Sequence, residues 1–94
     1  MSKKKTIKDI FTIMNDKGLH TRPATELVRC ASTFKSSIML NYQDYAVNAK
    51  SLLGILMLAA AKGAKIRIEA EGEDAQQAVD AIQNLAKGKF NIKY

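Results

Sequence analysis

Among its 94 residues the chain has one cysteine, one histidine and one proline, and it has no apolar run of membrane-spanning length. Each scarcity removes a class of function. Cys30 alone cannot close an internal disulfide and brings no second thiol to a zinc site, a usage that fits a reducing compartment. His20 alone, with no clustered acids around it in the sequence, supplies too few ligands for a metal, so neither metal nor cofactor is expected. No second histidine, paired carboxylate or serine–histidine arrangement is available for independent catalysis, so an enzyme is not expected. No stretch reaches the roughly 18 apolar residues of a membrane span. Met1-Ser2-Lys3-Lys4-Lys5 passes into a strand-like run without the apolar core of a signal peptide. The expectation is a cytoplasmic protein with no membrane insertion.

Ninety-four residues make one small domain, spanning 1–94. A chain of this size buries only about 60–65% of its unfolded surface, which leaves little room for a deep cavity and favours work at the surface. The formal net charge is +6, which favours acidic partners and raises nucleic acid as a possibility to be weighed. Six of the fifteen basic residues, Lys3, Lys4, Lys5, Lys87, Lys89 and Lys93, sit near the two ends, so the charge does not form one binding stripe.

The order of elements reads strand, helix, strand, strand, helix, strand, helix. The first strand is expected over Thr6–Met14, with Ile7, Phe11 and Ile13 on one face and Ile10 and Met14 blurring the alternation. A helix follows over Arg22–Phe34; Pro23 suits its first turn, and Ala24, Leu27, Val28, Ala31 and Phe34 form an apolar stripe that Cys30 borders. Ile38–Tyr42 and Tyr45–Ala49 make a hairpin whose Gln43-Asp44 turn does not fix the register. Ser51 caps a second helix over Leu52–Ala61, closed by Lys62-Gly63. Lys65–Ala70 alternates cleanly, with Ile66, Ile68 and Ala70 against Lys65, Arg67 and Glu69, as in a strand covered on one face. In the last helix Asp74 and Gln77 read as a capping box, and Gly88 as the stop. Single apolar faces throughout imply an α+β fold of two layers, one sheet and one set of helices.

The chemistry concentrates in Gly18-Leu19-His20-Thr21-Arg22-Pro23-Ala24, where a turn gives way to a helix. A helix start presents free N–H groups and the positive end of the dipole, and both attract an anion such as phosphate. Arg22 adds charge-assisted donors for phosphate oxygens, and Gly18 permits a crowded turn. A histidine suits a relay because it is both a competent nucleophile and a good leaving group. On spacing alone, a lone histidine before a helix is more often a surface residue or a cap than a nucleophile.

The run from Gly18 to Ala24 resembles the active-site signature of HPr, the histidine-containing phosphocarrier family of the bacterial phosphotransferase system. Asn48-Ala49-Lys50-Ser51-Leu52-Leu53-Gly54 resembles that family's regulatory serine segment, and the element order agrees from about Lys5 to Lys87. Thr21 stands where many members have alanine. The resemblance implies an open-faced two-layer sandwich, with an antiparallel sheet in order 1-4-2-3 and three helices on one face. It also implies that His20 accepts phosphate through Nδ1 from phosphorylated enzyme I and passes it to IIA proteins or domains of sugar permeases, with Arg22 steadying the phosphate. Partners are then enzyme I, IIA components and an HPr kinase/phosphorylase, with the carrier itself a monomer that binds no nucleic acid.

Ser51 is a helix cap on its own terms; by resemblance it is also a regulatory phosphorylation site. The second helix is nearly all apolar, and whatever it leaves exposed would make a docking patch. By resemblance Leu52, Leu53 and Leu56 lie beside the His20 loop, and Thr21, Thr25 and Arg29 join Arg22 in framing them. Two other readings stand beside this one. The first is a nitrogen-type carrier with the same chemistry and a regulatory output. The second is a small basic RNA-binding domain, which would need aromatic residues together on the open sheet face, where only Phe11, Tyr42 and Tyr45 fall on expected strands. Lys3-Lys4-Lys5 and Phe90-Asn91-Ile92-Lys93-Tyr94 lie outside the shared pattern and carry no reading from the sequence.

Overall fold

Alternation of side chains decides which way each strand faces. The computed structural model describes residues 5–94, so Lys3 and Lys4 lie outside the described residues. Its elements are β1 (Thr6–Thr12), α1 (Thr21–Ser32), β2 (Ser37–Tyr42), β3 (Tyr45–Asn48), α2 (Leu52–Met57), β4 (Lys65–Glu71) and α3 (Ala75–Lys87). The four strands form one antiparallel sheet in the order β1-β4-β2-β3, as the resemblance implied. Helix α3 lies against β1, β4 and β2, α2 lies against β3, and α1 packs on both other helices.

The core between the layers takes Phe11 and Ile13 from the first strand region, Ile38 and Leu40 from β2, and Ile66, Ile68 and Ala70 from β4. From the helices it takes Ala24, Leu27 and Ala31 of α1, Ile55 of α2, and Ala75, Ala78, Val79, Ile82 and Ala86 of α3. Ile10 and Met14, which blurred the first strand's pattern, point outward. On the open face Lys8 and Glu69 sit opposite one another and pair at 3.5 Å. Phe11 is turned into the core, so the aromatic platform an RNA-binding domain needs is absent from the open face among the described residues.

Several element ends differ from expectation. Strand β1 ends at Thr12, although Ile13 still bonds across to Ala64 and Gly63. Helix α1 starts one residue earlier than expected and stops at Ser32, where the Thr33 hydroxyl donates to the Cys30 carbonyl at 2.7 Å and closes the last turn. The hairpin turns tightly between Tyr42 and Tyr45, with Gln43 in the left-handed region at φ 54°. Helix α2 stops at Met57, well short of Ala61. Ala59 turns left-handed at φ 50°, and the Ala60 carbonyl accepts from the Leu19 N–H at 2.9 Å instead of continuing the helix.

The capping box is not formed. Asp74 is the N-cap of α3, but its side chain makes no capping bond. It accepts from the N–H groups of Lys35 and Ser36, both at 2.9 Å, and from the Ser36 hydroxyl. Three donors from the α1–β2 connection outcompete one helix N–H. The Ser36 hydroxyl, then the Lys35 N–H, hold the Asp74 carboxyl down to about 2.

The segment after α3 is the largest departure. Lys89, Phe90 and Asn91 form a left-handed turn with φ of 55°, 57° and 64°. Phe90 is fully buried and meets Phe11 edge to face, with ring centroids 6.3 Å apart at 71°. Such a backbone costs energy in every non-glycine residue it includes, and burial of a whole aromatic ring offsets it.

Candidate functional site: the start of helix α1

The loop before α1 is shaped by Gly18. Its φ is 71°, and a Cβ there would lie 2.4 Å from the Ala60 carbonyl oxygen. Only glycine allows the 59–61 segment to come that close, and the Leu19 N–H then bonds Ala60. Leu19 is buried, which fixes the loop on the core just before His20.

His20 is the N-cap of α1 in an extended conformation (φ −81°, ψ −171°). Its carbonyl accepts from the Ala24 N–H at 3.0 Å, while its side chain makes no capping bond. Pro23 is buried in the first turn and has no N–H to satisfy. The N–H groups of Thr21 and Arg22 are thereby left at an open helix start. The ring lines a surface depression with Lys17, Leu19, Thr21, Leu56 and Ala59–Ala61. Nε2 is enclosed and has no hydrogen-bond partner among the described residues.

Positive charge surrounds this ring. The first turn of α1 holds no acid. Nearby carboxylates are already engaged: Asp16 with Lys62 at 3.1 Å, and Glu26 with Arg29 at 3.2 Å. The Lys62 hydrogen bond and charge hold the Asp16 carboxyl below its ordinary range. Among the described residues, neither Lys17 nor Arg22 is paired with a carboxylate. A helix start, two unpaired cations and a half-buried imidazole form a place for an anion.

The expected site residues fall into three groups. His20, Thr21 and Leu56 line the depression. Arg22, Thr25 and Arg29 line a neighbouring groove with residues 91–94, although the Thr25 hydroxyl donates to the Thr21 carbonyl at 2.7 Å. Ser51 stands at the opposite end of α2 from Leu56 and is the cap the sequence implied, its Oγ accepting from the Gly54 N–H at 3.1 Å. Between them Leu53 is 71% exposed and Leu52 also open, whereas Leu56 is half-buried against the core. Met57 is 61% exposed and extends the Leu53 surface by one turn, which the i, i+4 spacing could have signalled. Cys30 is half-buried, and burial pushes its thiol up, as suits a packing residue.

Two further residues reach the site without any local signal. The Tyr94 ring stacks on His20, with centroids 6.1 Å apart at 14°. Buried Asn15 ties the turn before His20 to the segment that carries Tyr94.

Comparisons with known proteins agree with this geometry. Residues 7–87 match the family model described as the PTS HPr component phosphorylation site. The phosphocarrier protein HPr of Neisseria meningitidis is 40% identical over 84 residues, 89% of this chain and 94% of that protein. A crystal structure of HPr from Thermoanaerobacter tengcongensis superposes with a TM-score of 0.88 at 36% identity, covering 94% of this chain and 99% of that one. A second structure from the same organism, an HPr dimer, matches with a TM-score of 0.73 at 41% identity over 83% of this chain and 90% of that one. Matched over most of its length in sequence and fold, the chain belongs to the HPr family of phosphotransferase-system phosphocarriers.

Proposed function

We propose that this phosphocarrier holds its phosphoryl group on His20, receives it from phosphorylated enzyme I and gives it to IIA components of sugar permeases. The observation that carries this reading is the His20 ring at an open helix start with Lys17 and Arg22 free of carboxylates. The Nδ1 lone pair attacks phosphorus, a new N–P bond forms, and the bond from phosphorus to the donor breaks with its electron pair leaving on the donor. Enclosure of Nε2 favours Nδ1 as the attacking atom. The phosphoryl oxygens then meet the Thr21 and Arg22 N–H groups and the Arg22 guanidinium, which offers paired donors that a lysine cannot copy. An imidazole is both a competent nucleophile and a good leaving group, so the phosphoryl group can arrive and leave without a metal in this protein.

Docking falls to Leu52, Leu53 and Leu56 with a rim of Thr21, Thr25 and Arg29, the rim charge speeding encounter with acidic surfaces. Ser51 is the regulatory position, phosphorylated by an HPr kinase. No helix among the described residues is long and apolar enough to cross a membrane. The carrier is taken to act as a cytoplasmic monomer. The test is incubation with enzyme I and phosphoenolpyruvate, which should add one acid-labile phosphate. If His20→Ala still takes up that phosphate, the assignment fails.

A further inference from the structure

We infer that Tyr94 is a positioning residue of the phosphoryl-transfer site, fixing the tilt of the His20 ring and the place of the Arg22 guanidinium. The inference rests on the reading of His20 as the phosphoryl acceptor.

The His20 ring lacks the orienting bond that a working histidine usually has. It makes no capping bond, and Nε2 has no hydrogen-bond partner among the described residues. What does meet the ring is a face: Tyr94 lies nearly parallel to it, 6.1 Å between centroids at 14°, within the range of offset aromatic stacking. The same tyrosine engages the cations of the site. Arg22 donates from a guanidinium nitrogen to the Tyr94 hydroxyl, and its Cζ lies 5.8 Å from the ring centroid. Lys17 Nζ lies 4.9 Å from that centroid. One side chain thus meets His20, Arg22 and Lys17 together.

The segment that carries Tyr94 is held down on its own account. Phe90 is anchored in the core against Phe11. Asn15 donates to the carbonyls of Lys89 at 2.9 Å and Tyr94 at 3.4 Å. Three consecutive left-handed residues aim the chain back toward α1.

The geometry distinguishes positioning from obstruction. An imidazole nitrogen reacts through a lone pair in the ring plane, at its edge, whereas Tyr94 covers a face. Attack at Nδ1 is left open while rotation of the ring is restricted. Arg22 has five N–H donors and gives one to the phenol oxygen, so the rest stay available to a phosphoryl group. A free arginine would have to be ordered during transfer; here much of that ordering precedes it.

The test compares wild type, Tyr94→Phe and Tyr94→Ala in phosphoryl uptake from enzyme I and phosphoenolpyruvate, resolved into the turnover at saturating carrier and the KM for the carrier. The His20 ring proton resonances are recorded by NMR on the same proteins. Tyr94→Ala, which loses the stacked ring as well as the hydrogen bond to Arg22, should lower turnover about fivefold or more, leave KM near wild type and shift the ring resonances. Tyr94→Phe should keep the resonances and show a smaller loss. Equal or faster turnover in Tyr94→Ala overturns the inference, as does a change confined to KM, which would make Tyr94 a docking contact. Absence of uptake by wild type would instead refute the acceptor reading itself. Tyr94 lies outside the core, so the variants should melt with wild type, and a loss of folding in Tyr94→Ala would also overturn a positioning role.

Discussion

The side chain of Asn15, fully buried, donates to the Lys89 carbonyl at 2.9 Å and so fastens the turn before His20 to the segment after α3. The two residues are 74 positions apart in sequence. The same turn is closed by Gly18 N–H donating to the Asn15 carbonyl at 2.9 Å, so Asn15 serves the loop with its backbone and the distant segment with its side chain.

Asn15→Ala removes that donor and leaves the Lys89 carbonyl without it. The expected cost is about 1–3 kcal/mol of stability, the penalty for a buried polar group losing its partner, measured by urea unfolding. If the bond also holds Tyr94 over His20, Asn15→Ala should slow phosphoryl uptake. Combining it with Tyr94→Ala should then slow uptake little more than Tyr94→Ala alone, because both changes release the same segment. Additive losses would separate the two residues.

Asp74 gives the fold a defined acid sensitivity. Its carboxyl is held down to about 2, first by the Ser36 hydroxyl and then by the Lys35 N–H. A folded-state value below the unfolded value of about 3.9 means that the charged form supports the native state. That support is fully present above roughly pH 4 and disappears as pH falls from about 4 toward 2. Asp74→Asn should be less stable than wild type at neutral pH, and its unfolding free energy should fall less between those limits. Parallel acid profiles for the two proteins, followed by urea unfolding at several pH values, would contradict this.

What the sequence made legible is what local periodicity controls. Ile66, Ile68 and Ala70 face inward because their neighbours Lys65, Arg67 and Glu69 cannot, and no distant residue alters that choice. The Gly18–His20–Pro23 run is equally local: a left-handed glycine, an extended cap and a proline in the first turn lie within six residues. Ser51 capped its helix as read because its acceptor meets a donor three residues away. Asp74 failed as a side-chain cap because donors 38 and 39 residues distant claimed its carboxylate. Helix α2 stopped early because Leu19, far back in the chain, took the Ala60 carbonyl. Phe90 and Tyr94 were invisible for the same reason: a buried ring after a helix-stopping glycine has no periodic partner, and its meaning lies in Phe11 and His20.

Substitution can separate the helix cap that Ser51 makes from the regulatory role proposed for it. Its Oγ accepts the Gly54 N–H at 3.1 Å, and the next two residues, Leu52 and Leu53, are exposed. A phosphate on that oxygen would add about −1.5 to −2 charge beside these exposed leucines, the proposed docking surface. The proposed surface also takes in Arg22 and Arg29, both exposed, a charge that favours partners presenting acidic groups. Like charges brought together at an interface cost several kcal/mol, enough to suppress transfer by orders of magnitude with His20 intact. Ser51→Ala deletes the cap and adds no charge; it should lose about 1 kcal/mol of stability and bind enzyme I normally. Ser51→Asp keeps a good cap and adds one negative charge; it should stay near wild-type stability and bind enzyme I more weakly. Kinase-treated protein should bind most weakly, and added salt should narrow the gap between it and wild type. Thermal unfolding and titration calorimetry at low and high salt measure both axes. If Ser51→Asp and the phosphorylated protein bind enzyme I as tightly as wild type at low salt, charge at this position does not govern docking, and Ser51 is a helix cap only.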